Sequence, residues 1–471
     1  MILSLVIQDR DSLAETTAHR TALACVEAGI EAAHPERVVR EAIGFDGETL
    51  EIGPETYGLS TYESVVVVGG GNAAAHVAVT LEDILGSALD GGVVVTDDPV
   101  PTATVDVRPA DHPVPSQRGV ESTTELLDRA ASAGPETLVI AVITGGGSAC
   151  MVAPADGISL EDLQQTTNAL LSSGATIHEV NAVRKHLSAI KGGHLAQALE
   201  PARVSALVLS DVVGDDLDVV ASGPLVADPS TYADALEVLD AYDLTVPESV
   251  RKRLEAGAAG DLAETPGLDD PAVERVTTHL VGTNMTALTA AREAASERGY
   301  GTLVLSSRIR GKARDAALAH VAVAEEMVAT GNPISPPAVV LSGGETTVTV
   351  TGEGRGGPNQ EFALAAALEL PAEAVLGEGL DGPSVAVLGE GLDGPSQAVL
   401  AAVDTDGIDG NTGAAGALVD GDLVTDPGAA RRALDDNDAN AYLGERGALV
   451  ETGPTGTNVN DLRVLVVGSP D

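Results

Sequence analysis

Short runs of Val, Leu and Ile recur along the chain with Ala-rich amphipathic stretches between them, and this alternation most constrains the fold. The runs fall at 65–68, 93–95, 138–143, 204–209, 280–281, 303–305, 339–341, 399–403 and 462–467. Several are apolar without interruption, as parallel strands covered on both faces should be. Helical patterns lie between most of them. The expected class is therefore α/β, with helices on both faces of a sheet. At 471 residues the chain can form two domains. Pro247, Gly257, Gly260, Pro266, Gly267 and Pro271 punctuate an acidic stretch, so a boundary is expected in or near 246–275.

Charge narrows the function. Lys and Arg number 26 against 71 Asp and Glu, a formal charge of −45. Nucleic acid is excluded as a partner, because phosphate binding needs basic groups that displace counterions. An anionic membrane surface is disfavoured for the same reason. The only lysines are Lys185, Lys191, Lys252 and Lys312; there is no Trp, and Phe occurs twice. Such an acidic, Lys-poor composition reads as adaptation to a salt-loaded cytoplasm, where ions screen self-repulsion. Cys25 and Cys150 are too few for a disulfide framework. No run reaches the roughly 18 apolar residues of a membrane span, and the first residues lack a basic n-region. A cytoplasmic location is expected.

Residues 374–385 read AVLGEGLDGPSV and residues 386–397 read AVLGEGLDGPSQ. The period is too short for a solenoid unit. A tandem duplication with one copy looped out is the expectation.

Four motifs carry chemistry in the first half. The run 65–68 leads into Gly69-Gly70-Gly71-Asn72 and an Ala-rich helix. Gly69, Gly71 and Ala74 fit G-x-G-x-x-A, and Asp97 and Asp98 follow the next strand. Both an anion-binding turn and tight strand–helix packing suit this pattern. The run 138–143 leads into Thr144-Gly145-Gly146-Gly147-Ser148, without the Lys of a phosphate-binding P-loop. Two such loops predict two anion-binding turns at one edge of the sheet. Ser159 and Asp162 predict a capping box for a helix over 160–171.

The third motif spans 178–193. At 100° per residue, Asn181, Arg184, Ser188 and Lys191 fall within about 80° on one helix. Val180, Val183, Leu187 and Ile190 form an adjacent apolar stripe, and Gly192 would end the helix. Half of the lysines, Lys185 and Lys191, lie in this segment. An Arg–Lys cluster suits phosphate. In the fourth motif, a buried strand delivers Ser210 and Asp211 at its C-terminal end, where ligands of open α/β sheets bind. Asp211 could hold Mg2+ or orient a hydroxyl, whereas Asp215 and Asp216 read as surface acidity.

Further on, Gly343-Gly344-Glu345 precedes an expected hairpin at 346–351. Arg355 and then Asn359-Gln360-Glu361 precede a helix. Asp404, Asp406 and Asp409 are spaced as in a calcium loop, but Ile408 holds a ligand position and the closing Glu is missing, so an EF-hand is excluded. Thr455 and Asn458 lie in a small-polar loop before the last strand. Neither H-E-x-x-H nor Gly-x-Ser-x-Gly occurs, which removes a zinc site and a hydrolase elbow.

Taken together, GGGSACMVAP, NAVRKHLSAIKGGHLA, LSDVVGDDLDVVASGP and ADPSTY resemble the glycerate 2-kinases that carry a C-terminal MOFRL domain. LSGGET, GGPNQEFAL, DTDGIDG and GPTGTNVND resemble the MOFRL part. The resemblance implies a Rossmann-like three-layer domain over 1–255, a mixed-sheet MOFRL-containing domain over 275–471, and an active site in their cleft. It implies ATP- and Mg2+-dependent phosphorylation of D-glycerate at its 2-hydroxyl. Lys191, Arg184 and Asp211 are then the catalytic candidates, with Lys191 stabilising transferred charge. Gly69–Asn72, Gly145–Ser148, Asn181, Lys185, Ser210, Gly343–Glu345, Arg355, Asn359–Glu361, Thr455 and Asn458 would bind substrate or nucleotide, and Asp211 and Asp406 Mg2+. Two departures stand out. Asn72 replaces a Lys that the family often has, and Pro358 replaces an Arg. Arg184, Lys185, Lys191 or Arg355 would have to supply the missing charge. The alternative is a hydroxypyruvate reductase using NAD(P)H at the Gly69 turn with Asp97; a third reading is a sugar-acid-binding protein without turnover. Monomer and homodimer both remain open.

Overall fold

The computed structural model describes residues 5–370 and 398–470. The repeat at 374–397 and its expected loop lie outside the described residues. The chain forms two compact units, Pro35–Gly282 and, together, Met1–His34 and Thr283–Asp471. The boundary thus falls at Gly282, beyond the stretch expected from composition. The first 34 residues join the C-terminal unit. The cause is packing of the helix Thr17–Ala32 on the helix Asn284–Glu297, which no local pattern announces.

In the unit Pro35–Gly282, three short strands, β1 (Ile43–Phe45), β2 (Thr49–Ile52) and β3 (Glu55–Gly58), form a small antiparallel sheet. Its main sheet comprises β4 (Ser64–Gly70), β5 (Gly91–Thr96), β6 (Asp106–Pro109), β7 (Thr137–Ile143), β8 (Arg203–Leu209) and β9 (Val276–Gly282). All are parallel, in the order β6-β5-β4-β7-β8-β9. This is the doubly wound Rossmann order, and the winding reverses between β4 and β7. Each central strand feeds two cores. In β7, Val139, Ala141 and Ile143 join one apolar cluster while Leu138, Ile140 and Val142 join the other. That double burial explains the unbroken apolar runs.

The other unit holds β10 (Gly301–Ile309), β11 (Ala338–Gly344), β12 (Ala398–Asp404), β13 (Gly416–Asp420), β14 (Leu449–Val450) and β15 (Asp461–Val467). Their order is β10-β11-β15-β12-β13-β14; only β10 and β11 pair in parallel, so the sheet is mixed. The expected hairpin at 346–351 does not form. Side chains take its backbone donors instead: Thr346 N–H donates to Asp461 Oδ2 (3.1 Å), and Thr351 and Gly352 N–H donate to Asn437 Oδ1 (2.7 and 2.9 Å). Among the described residues no helix is long and apolar enough to cross a membrane.

Candidate active site

The loops leaving β4 and β7 meet at the switch point. Gly69 sits so close to β7 that a Cβ there would lie 1.9 Å from the Val142 oxygen. The donors of the first loop are engaged by its neighbours. Gly71 N–H donates to Val95 O (3.0 Å), Asn72 N–H to Gly145 O (2.8 Å) and Ala73 N–H to Thr144 Oγ1 (3.2 Å). The Asn72 amide nitrogen faces Asp97 Oδ1 (3.2 Å) and Gly145 O (3.3 Å). Gly69–Asn72 is therefore a packing joint between two strands, and the expected anion cradle is not formed there.

The second loop does border a cavity. A cleft of about 390 Å³ is lined by Gly146, Ser148, Arg184, Ser188 and Lys191, and also by His112, Gln164 and Asn168. Gly146 adopts a φ of 73°, and a Cβ on it would meet the Asn72 side chain at 1.7 Å. Lys191 Nζ donates to the main-chain oxygens of Ser148 (2.8 Å) and Met151 (3.2 Å). Burial, with the nearby Arg184 charge, pushes its ammonium down to about 7. Burial also lowers the Arg184 guanidinium, for which no carboxylate partner occurs among the described residues. Two basic side chains thus line one cleft with no carboxylate paired to either among the described residues, an arrangement that suits an anionic ligand.

The helix bearing Arg184 runs Ile177–His186 and stops before the expected Gly192. Its N-terminus is closed by a capping box between Thr176 and Glu179. Its end is set by Ser188, whose hydroxyl accepts from the N–H groups of Ile190 and Lys191 (both 3.2 Å). Lys191 reaches the cleft from this turn, not from a helical face. The helix Leu160–Ser173, with the expected Ser159–Asp162 capping box, supplies Gln164 and Asn168. Their spacing of four residues on one helix was the signal that could have revealed them.

Asp211 follows β8 and packs against Gly145, where a Cβ would lie 2.4 Å from Asp211 Oδ2. Burial raises its carboxyl, and a bond from the Gly146 backbone moderates the rise. Ser210 is buried, and its hydroxyl accepts from Val212 N–H (3.2 Å), so it shapes the turn. Asn181 is likewise buried, bonded to Ser222 (2.9 Å). Lys185 points away from the cleft. Its ammonium is buried between Asp218 (3.0 Å) and Asp228 (3.2 Å), which corrects its assignment as a phosphate ligand.

The candidates of the C-terminal unit are largely structural. Asn359 donates to Asp461 Oδ1 (2.6 Å), Gln360 to Thr412 Oγ1 (2.8 Å), and Glu361 pairs with Arg314 (2.8 Å). All three are buried. Pro358 opens the helix Pro358–Ala367, a position that needs no N–H. Gly343 and Gly344 end β11, and a Cβ on Gly343 would meet Asn284 Oδ1 at 1.8 Å. Thr455 Oγ1 donates to Thr405 O (2.6 Å), and Asn458 Oδ1 accepts from Asn460 N–H (3.0 Å). Exposed positions here are Glu345 and Arg355, the latter donating to Asn411 O (3.1 Å).

A divalent magnesium ion is usually held by one or two carboxylates with phosphate and water oxygens. Asp211, a half-buried carboxylate in the turn after β8, is of the chemical type that could fill that role. Asp406 lies in the other unit, beside Asp404, and burial raises both carboxyls. Among the described residues, three metal-ligating side chains converge only at His178, Asp216 and Asp218, where the Lys185 ammonium already binds Asp218.

A Rossmann-ordered parallel sheet with a cleft lined by Arg184 and Lys191 in one unit, and a mixed sheet in the other, define a two-unit α/β protein. Residues 21–255 match a family described as a domain of unknown function, DUF4147, and residues 338–461 match the MOFRL family. The chain is 37% identical to the glycerate 2-kinase of Pyrococcus horikoshii, covering 95% of this chain and 97% of that protein. The D-glycerate 2-kinase of Thermotoga maritima is also 37% identical, covering 95% and 98%. The solved structure of the glycerate kinase from that organism superposes with a TM-score of 0.78 at 36% identity, over 95% of this chain and 99% of the other. A protein of Agrobacterium vitis, provisionally named a hydroxypyruvate reductase, is 40% identical over 86% of this chain and 87% of its own. The chain belongs to the glycerate kinase family.

Proposed function

We propose that the protein transfers a phosphoryl group from ATP, with Mg2+, to the 2-hydroxyl of D-glycerate, in a salt-loaded cytoplasm. The observation that carries this reading is the pair of acid-free cations, Arg184 and Lys191, on one cleft with Ser148 and Ser188. Phosphoryl transfer asks for positioning and charge neutralisation more than covalent chemistry, and Mg2+ supplies part of that neutralisation when bound. Arg184 offers a planar fork matched to a carboxylate. Lys191, held by two main-chain oxygens, presents its charge at a fixed place. In this reading Asp211, in the turn after β8 against Gly145, would hold the metal or accept the hydroxyl proton.

The reductase reading requires the Gly69 turn to cradle a pyrophosphate. The N–H groups of Gly71, Asn72 and Ala73 are bonded within the protein, which leaves that reading without its site. Turnover with D-glycerate, ATP and Mg2+ in high KCl, read by phosphorus NMR, tests the proposal. 2-Phosphoglycerate and ADP are expected. Absence of ADP, with NADH oxidised by hydroxypyruvate, would overturn it.

A further inference from the structure

Ser222 joins two of the site's side chains by one hydroxyl. It donates to Asn181 Oδ1 at 2.9 Å and lies 2.5 Å from Ser148 Oγ. It is fully buried, with a φ of 61°, beside Ala221 at 50°. Two successive non-glycine residues in the left-handed region mark a strained turn that its surroundings hold in place.

A hydroxyl carries one proton. With the Asn181 amide turned so that its Oδ1 accepts from Ser222 and its Nδ2 has no partner, the proton between the two serines is that of Ser148. Ser148 borders the cleft and therefore turns only lone pairs toward it. Such an oxygen accepts from a hydroxyl and repels an anionic oxygen. Carboxylate and phosphate oxygens go to Arg184 and Lys191, and a neutral hydroxyl is left for Ser148. Neither Ser222 nor Asn181 can take up a further proton, so this chain offers no path away from a reacting hydroxyl. The hydroxyl it meets is the one that keeps its proton.

We propose that Ser222, anchored on Asn181, is a positioning residue that fixes Ser148 as the acceptor for the non-reacting hydroxyl of glycerate. The proposal rests on the glycerate reading and makes the Asn181–Ser222–Ser148 chain a determinant of specificity for a dihydroxy acid over a monohydroxy one. A site built to bond a substrate hydroxyl discriminates strongly against the analogue that lacks it.

Calorimetric titration with D-glycerate and with D-lactate tests it on the wild type, Ser222→Ala and Ser222→Gly. Glycine suits the backbone angle, so that variant separates loss of the hydroxyl from misfolding. Wild type is expected to prefer glycerate. Both variants are expected to weaken glycerate tenfold or more and leave lactate within twofold. Equal weakening of the two ligands, unchanged glycerate binding, or equal affinity in the wild type would overturn the proposal. ADP release by the wild type, measured alongside, judges the kinase reading separately: preference for glycerate without turnover sinks that reading and leaves the hydroxyl chain standing.

Discussion

Lys191 Nζ donates to the main-chain oxygen of Ser148 at 2.8 Å, tying the turn after Arg184 to the loop after β7. Burial holds that ammonium near 7, so it changes charge in the working range. If protonated Lys191 stabilises transferred charge, kcat/KM falls as pH rises through about 7. Lys191→Arg stays charged and is expected to lose this limb of the profile. Lys191→Ala is expected to lower kcat about 10²–10³-fold, as for loss of one preorganised donor. Near-wild-type turnover of Lys191→Ala would remove the residue from the reaction.

Lys185 is expected to behave differently, although it adjoins Arg184. Its loss leaves Asp228 buried without a cation. Breaking a buried pair from one side costs about 3–5 kcal/mol. Lys185→Met should lower the unfolding free energy, read from urea melts in KCl, by that amount while kcat per folded molecule is kept. A large kcat loss with unchanged stability would return Lys185 to the site.

Burial pushes both thiols, Cys25 and Cys150, up to about 12. The thiolate is the reactive form, so neither is expected to react with iodoacetamide at pH 8 in the native protein. Both should react in denaturant. Mass spectrometry reads the outcome, and native alkylation of Cys150 would show that the core beside the cleft opens.

Most of the two sheets was legible because β4, β7, β8, β11, β12 and β15 are buried on both faces and spell apolar runs, broken only by Ser205 in β8 and Arg463 in β15. The strands β1, β2, β3, β6, β13 and β14, none longer than five residues, carry short or mixed runs and were missed. The cleft was half legible. Arg184, Ser148 and Lys191 stood out by residue type, and Lys185 was grouped with them only because it shares their segment. The acids that claim Lys185 lie 33 and 43 residues away. Nor could spacing show that the Ser188 hydroxyl would end the helix. The glycines of the first loop were legible as glycines, while their use in packing depended on the facing Thr144 and Gly145.

Asp409 supplies a pH test in the C-terminal unit. Its carboxylate accepts from Asn359 N–H (2.9 Å) and Gln360 N–H (2.8 Å), closing the start of the helix Pro358–Ala367 from another loop. Burial, with nearby Asp461, raises its carboxyl from 3.8 to about 7. Between those values the folded state binds the proton and the unfolded state does not, so the stability from this group is lost as pH rises toward 7. Asp409→Asn cannot titrate. Its stability relative to wild type is therefore expected to rise between pH 4 and pH 7 and to level off above. Urea melts of both proteins at constant KCl measure this difference, and a gap that stays constant from pH 5 to pH 8 would show that Asp409 ionises in the fold as it does in the open chain.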